Sequence, residues 1–316
     1  MLADPLFPEC HPNCIRQMAV GDGHILHVEE CGPVDGLPVL FLHGGPGSGC
    51  TAGQRRLFDP ERFRVIMIDQ RGAGRSLPSG ELEANTTPDL VADLDYVREA
   101  LGISRWIVFG GSWGSLLALA YAQLFPNCVH GLVLRGIFLG SQEEIDAYVR
   151  GHNGVPPEAW QNLVASVPTS DLTDPLASFA RRILGDNHDV ALRATRAWLN
   201  YERALMGEPP LAGLPDATQL AKARIQMHYL TRHCFLAPGQ LLAGIEQIRH
   251  IPAVIVQGMA DSICPPSAAE QVHHAWPEAT WVPVVGAGHG ALSPGMARAC
   301  IKALGWMAES VHGYVD

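Results

Sequence analysis

No apolar run in this chain approaches the ~20 residues that a membrane span needs. Basic residues are outnumbered, 22 Lys and Arg against 32 Asp and Glu, for a formal net charge of −10. That balance argues against nucleic acid, or an anionic membrane surface, as a partner. The 8 cysteines are dispersed and contain no C-x-x-C pair. Cys10 and Cys14 form the one close couple, and no second pair of ligands follows at zinc-finger spacing. The opening Met-Leu-Ala-Asp-Pro-Leu-Phe-Pro has neither the basic nor the apolar region of a signal peptide. Internal repeats, charge blocks and low-complexity segments are also missing. These absences predict a reduced, cytoplasmic chain that needs no metal and no cofactor.

What is present is core-forming material. With 316 residues and 47% hydrophobic content, one large domain and an insertion can be built. Short apolar runs alternate with helical patterns. Leu26–Glu30, Val39–Leu42, Arg64–Ile68, Ile107–Gly110 and Gly131–Arg135 read as strands, the first on an antiparallel edge. Thr87–Leu101 reads as a helix with Thr87 as its cap, Pro88 in the first turn, and Leu90, Leu94 and Val97 on one face. Such alternation implies an α/β fold with a mostly parallel sheet. From about residue 140 to 238 the strand pattern stops. Helical runs there are interrupted at Pro156-Pro157, Pro175 and Pro209-Pro210. Strands resume after Ile251. The expected organisation is a core made of 1–139 and 239–316, with an inserted helical cap over 140–238.

Chemistry is carried first by Gly110-Gly-Ser112-Trp-Gly114, a G-x-S-x-G that follows a strand and opens the helix-forming run Leu116–Phe125. A strand turning straight into a helix holds the serine in a strained backbone and presents its Oγ, and only small neighbours fit around it. A serine hydroxyl needs a base, and the base needs an orienting acid. In hydrolases with such an elbow the acid and then the histidine follow the serine in the chain. Asp261 comes just after the buried-type strand Ala253–Gly258, and His289 after Thr280–Val285, in a Gly-rich loop. His273 and His274 read as surface residues of a helix. Asp69 also ends a strand, but it precedes the serine. It reads as the anchor of an ion pair with Arg71 and Arg75. The oxyanion donors are expected from the N–H of Gly45, in His43-Gly-Gly-Pro-Gly47 after the strand Val39–Leu42, and from that of Trp113. A phosphate-cradling role for Gly44–Gly49 is discounted, since the Lys-Ser/Thr of a P-loop is missing and Pro46 removes a donor. Cys50, near this loop, reads as a small buried hydrophobe.

Taken together, His43–Gly47, Asp69-Gln-Arg-Gly-Ala-Gly-Arg-Ser76, Asn85-Thr-Thr87, Gly110–Ser115, Leu119-Ala-Tyr-Ala-Gln123 and Leu134-Arg-Gly-Ile-Phe138 resemble the proline iminopeptidases, prolyl aminopeptidases of the α/β-hydrolase fold. The likeness runs from Gly21-Asp-Gly23 to Gly286-Ala-Gly-His289 and is weakest in the middle. It implies a helical cap over the site and release of N-terminal proline from short peptides. It also implies acidic cap residues that read the free amino terminus. One lies in Trp198-Leu-Asn-Tyr-Glu202, so Glu202 carries over. The second falls in Ala223-Arg-Ile-Gln226-Met-His-Tyr-Leu230, where the family's glutamate is Gln226, an amide that keeps an acceptor oxygen without the charge. Phe138 and Tyr148 match the family's proline pocket, while a neighbouring Trp/Tyr pair is reduced to Ala147 and Val149. Arg135, inside the same motif as Phe138, joins the substrate-binding set.

The expected protein is therefore a serine hydrolase with Ser112 as nucleophile, His289 as base and Asp261 as orienting acid. It cleaves an amide, after an N-terminal proline or another small residue. An amidase or esterase with a neutral substrate is the alternative if Gln226 marks a lost ammonium site. A low-turnover binding protein on the same scaffold is a second, disfavoured by the intact Ser–Asp–His set. The partner is a small peptide or small-molecule amide or ester, and the oligomeric state is left open.

Overall fold

The computed structural model describes residues 4–150, 157–168, 171 and 173–312. Its strands are β1 (Cys14–Gly21), β2 (His24–Cys31), β3 (Leu37–Leu42), β4 (Phe63–Asp69), β5 (Trp106–Ser112), β6 (Val129–Ile137), β7 (Ala253–Gly258) and β8 (Thr280–Val284). They form one sheet in the order β1-β2-β4-β3-β5-β6-β7-β8. β1 with β2 and β2 with β4 are antiparallel. Every pair from β4–β3 to β7–β8 is parallel. This is the mostly parallel sheet that the alternating pattern implied.

The pleat explains why the inner strands read as unbroken apolar runs. Both of their faces are covered, so successive side chains enter opposite cores. Leu40, Leu42, Ile66, Ile68 and Val108 point into one core with helices α2 (Thr87–Ala100), α3 (Trp113–Leu124) and α10 (Pro266–Ala275). Val39, Phe41, Val65, Met67, Ile107 and Phe109 point into the other, closed by α11 (Pro294–His312). At the far edge β8 carries Pro283, a residue tolerated where a ladder donor is not required.

Between β6 and β7 the chain forms α4 (Gln142–Arg150), α5 (Pro157–Ala165), α6 (Pro175–Ile183), α7 (His188–Leu205) and α8 (Ala217–Leu230). These helices hold a third apolar cluster of their own, built around Trp198, Phe179, Ile183, Leu163 and Met227. Pro157 and Pro175 open helices, as their missing N–H allows. Pro156 lies outside the described residues. No helix among the described residues is long and apolar enough to cross a membrane.

Four expectations need correction. The antiparallel edge is β1, not the strand around Leu26–Glu30. β1 was not read because its side chains are mostly exposed or half-buried and mix charges with apolar residues. The cap of α2 is Thr86 rather than Thr87. Asp89 stands three residues after Thr86, accepts its N–H at 2.9 Å and so completes a capping box. Thr87 instead donates its hydroxyl to the Cys234 carbonyl at 2.6 Å. Asp69 does pair with Arg75 (2.8 Å), but Arg71 turns to Asp93 on α2 at 2.7 Å. His273 is half-buried and stacks on Trp281 with ring centroids 5.5 Å apart.

Candidate active site

The turn from β5 into α3 is built on steric exclusion. Ser112 has φ 57° and ψ −127°, a conformation an L-residue holds only when its surroundings impose it. A Cβ on Gly110 would strike the Gly114 carbonyl, and one on Gly114 would strike the Leu42 carbonyl. Both glycines of the motif are therefore close-approach positions. The pairing with β6 shifts register between Gly111 and Ser112, and Ser115 Oγ donates to the Ser112 carbonyl at 2.7 Å. The Ser112 hydroxyl is in a cleft of about 560 Å³, 3.8 Å from the Cys264 thiol.

Asp261 and His289 reach the same place from the ends of β7 and β8. His289 Nδ1 is 2.8 Å from Asp261 Oδ2. Asp261 Oδ1 accepts the N–H groups of Ile263 and Cys264, both at 2.9 Å, so the carboxylate cannot rotate away. Burial pushes this carboxyl up, yet His289 and the two N–H donors hold it below the ordinary aspartate range. Burial, then the positive charge of Arg135, lower the pKa of His289. A resting imidazole at neutral pH is thus uncharged, with Nδ1–H on Asp261 and Nε2 left as the unprotonated nitrogen. Asp69 is directed elsewhere: its oxygens accept the N–H of Cys50 (2.7 Å) and of Arg75 (2.9 Å).

The loop after β3 is locked beside the serine. Gln70 N–H donates to His43 Nε2 at 3.1 Å, which leaves Nδ1 to donate to the Gly44 carbonyl at 2.8 Å. Trp113 Nε1 donates to Gln70 Oε1 at 2.8 Å. A Cβ on Gly44 would lie 3.5 Å from Ser112 Cβ, so the loop backbone runs alongside the nucleophile. Gly45, at φ 124°, lines the cleft with Trp113. Trp113 is the first residue of α3, where an N–H has no acceptor inside the helix.

The helices between β6 and β7 supply the opposite wall. Trp198 and Glu202 are one turn apart on α7, and Lys222 and Gln226 one turn apart on α8, so each pair shares a face. The two faces meet. Trp198 Nε1, a donor only, donates to Gln226 Oε1 at 3.1 Å. This turns the amide nitrogen of Gln226 to Glu202 Oε1, at 2.6 Å. The Tyr148 hydroxyl donates to the same oxygen at 2.8 Å, and Lys222 Nζ donates to Oε2 at 2.9 Å. Phe138 and Tyr148 line the cleft below, with Phe138 N–H held by Ser115 Oγ at 3.0 Å. Arg135 also lines it. Its Nη1 donates to the His289 carbonyl at 2.6 Å, which braces the histidine loop.

Ser112, His289, Gly45, Trp113, Glu202, Gln226, Phe138, Tyr148 and Arg135 thus share one cleft, and Asp261 stands behind His289. Three residues here escaped the sequence reading. Gly136, at φ 56°, leaves room beside the acid: a Cβ there would sit 3.3 Å from Asp261 Oδ2. Its signal was its place in Leu134–Phe138. Cys264, beside Ser112, had none beyond following Asp261 by three residues. Lys222 has no local signal that sets it apart from any other lysine on a helix. Among the described residues no group of three or more His, Cys, Asp or Glu is placed to hold a metal ion.

A strained serine after the central β5, with an Asp–His pair from β7 and β8, defines a hydrolase of the α/β-hydrolase fold, and the profile of that fold matches residues 38–295. Within that class the chain belongs to the proline iminopeptidase family. It is 44% identical over 296 residues to the proline iminopeptidase of Xylella fastidiosa (strain Temecula1 / ATCC 700964), covering 92% of this chain and 95% of that one. It is 44% identical over 292 residues to that of Neisseria gonorrhoeae, covering 91% and 94%. The Arabidopsis thaliana proline iminopeptidase is 42% identical over 306 residues, 94% of this chain and 80% of its own. Among solved structures, a proline iminopeptidase-related protein from Thermus thermophilus shares the fold at TM-score 0.60 and 24% identity, covering 94% of this chain and 99% of that one.

Proposed function

We propose that the protein releases N-terminal proline from short peptides through an acyl-enzyme on Ser112. Neutral His289 takes the serine proton as Oγ attacks the scissile carbonyl, and then donates it to the leaving amine. Asp261 holds the ring and stabilises its charged form. The N–H groups of Gly45 and Trp113 receive the oxyanion, and water frees the acyl-enzyme by the reverse proton path. Residues 140–238 act as the cap that closes this cleft. Phe138, at the end of the core segment, and Tyr148 of the cap pack the proline ring, and Glu202 meets its amine, with Gln226 holding the carboxylate in place. Action in the cytoplasm accords with eight cysteines that are all free.

The observation that carries this reading is the buried Glu202 carboxylate on the wall opposite Ser112, in a chain so similar to proline iminopeptidases. An amidase or esterase with a neutral substrate has one observation in its favour: Gln226 is an amide, and Lys222 already neutralises Glu202. A panel of free and N-acetylated amino-acid anilides with simple aryl esters separates the two. The aminopeptidase reading expects proline anilide to be cleaved in preference to its N-acetyl form. Equal cleavage of both, or turnover of esters alone, would replace it with the neutral reading. Labelling of Ser112 by a fluorophosphonate tests the nucleophile and excludes a pure binder.

A further inference from the structure

Glu202 reaches the cleft with most of its hydrogen-bonding capacity in use. A carboxylate offers about four lone-pair sites. Oε1 already accepts from Tyr148 and Gln226, so its pair is filled. Oε2 accepts from Lys222 Nζ, which leaves one site on that oxygen. Any amine that comes to Glu202 must therefore share Oε2 with a lysine ammonium, or displace it.

The backbone of Lys222 cannot retreat. Its carbonyl and the Ile225 side chain would each lie 3.2 Å or less from a Cβ built on Gly47, so α8 rests on the loop that runs beside Ser112. Lys222 and Gln226 also share the face of α8 that meets α7. Only the flexible end of the lysine can move, and its side chain is 25% exposed, enough to swing toward solvent. Either course disfavours a cationic ligand. If Lys222 stays, two ammonium groups crowd one oxygen, and in a partly desolvated cleft their mutual repulsion offsets much of the attraction of the second one to the carboxylate. If Lys222 leaves, the part-buried ion pair is lost.

We propose that Lys222 is a specificity-determining residue that occupies the seat of the substrate ammonium on Glu202. This rests on the aminopeptidase reading and refines it. The wall formed by Glu202, Gln226 and Lys222 carries no net charge, so Lys222 weakens the pull of Glu202 on the amine without abolishing it, and the fit of the proline ring takes a larger share of the selection. The substrate class widens to include small cyclic or short acyl groups whose terminal position is uncharged.

The test uses two anilides of equal shape: proline anilide, and cyclopentanecarboxanilide, in which CH₂ replaces the ring NH₂⁺. An aryl ester of a small acid serves as reference. Lys222→Met keeps the aliphatic stem and removes the charge, and Lys222→Arg keeps the charge. The expected result is that Lys222→Met raises the ratio of kcat/KM for proline anilide over cyclopentanecarboxanilide by about 10-fold, mostly through a lower KM for proline anilide. Lys222→Arg should keep the wild-type ratio of the two anilides. The proposal is overturned if Lys222→Met leaves that ratio unchanged or lowers it. It is equally overturned if all three substrates lose activity together, the mark of a structural role. If wild type and variant turn over the ester but neither anilide, the aminopeptidase reading itself falls, a result distinct from an unchanged ratio.

Discussion

The two walls of the cleft are made by different means. On the core side, backbone geometry does the placing: positive φ at Ser112, close approaches at Gly110 and Gly114, and loops leaving parallel strands at one edge of the sheet. On the cap side, side chains do it: Trp198 to Gln226, Gln226 to Glu202, Lys222 to Glu202, with Tyr148 as a further donor. Backbone geometry permits few residue types, so the catalytic wall tolerates little change. A side-chain lattice can hold an amide or a carboxylate at a position such as Gln226 and stay packed. The chemistry and the choice of substrate are therefore separable, and substitutions should divide along the same line.

The largest effect belongs to the nucleophile. Ser112→Ala should lower kcat on the order of 10³-fold or more on every substrate, with the fold intact, because the covalent route is lost while the oxyanion donors remain. Retention of a tenth of the activity in the purified variant would remove Ser112 from the mechanism. Next comes Gly136→Ala, which strains the backbone and pushes toward Asp261. It should cost about 10-fold in kcat on amides and esters alike, since the strained backbone and a contact of 3.3 Å displace the Asp–His pair by a fraction of an ångström. An effect confined to proline substrates would instead tie Gly136 to the cap wall.

A smaller and selective effect is expected from Gln226→Glu. It brings a second carboxylate within hydrogen-bond distance of Glu202, where the two can coexist only by sharing a proton or a ligand ammonium. The preference for proline anilide over its N-acetyl form should rise by about threefold. A fall in that ratio would separate the amide from amine selection. The mildest test is pH. Burial and Arg135 lower the pKa of His289, and the neutral ring is the active base, so kcat/KM should rise with pH through a midpoint below the ordinary ~6.5 of histidine. A midpoint above that value would mean that Asp261 outweighs them.

The same division explains what the sequence revealed. Ser112, Asp261 and His289 were readable because a nucleophile elbow needs glycines around the serine, and because acid and base follow in order from strand ends. Trp113 and Gly45 were readable because an N–H donor depends on backbone position, not on side-chain type. Glu202 and Gln226 came from family likeness alone. Nothing local distinguishes a glutamate that will be buried on α7 from one in solvent. Lys222 was missed for the same reason: its role exists only because Glu202, twenty residues earlier in the chain, lies opposite it. β1 was missed since an exposed edge strand needs no apolar alternation.

Glu202 is proposed to govern recognition of the amine, while Ser112, His289 and Asp261 govern the chemistry. The most direct measurement is kcat/KM of wild type and Glu202→Gln on proline anilide and on a neutral aryl ester, side by side. A charge-assisted hydrogen bond in such a cleft is worth roughly 1.5–3 kcal/mol. Glu202→Gln should lose about 10-fold or more on proline anilide, deepened by the now unpaired Lys222, with the ester changed by less than about twofold. An equal loss on both substrates, or no loss on proline anilide, would contradict it.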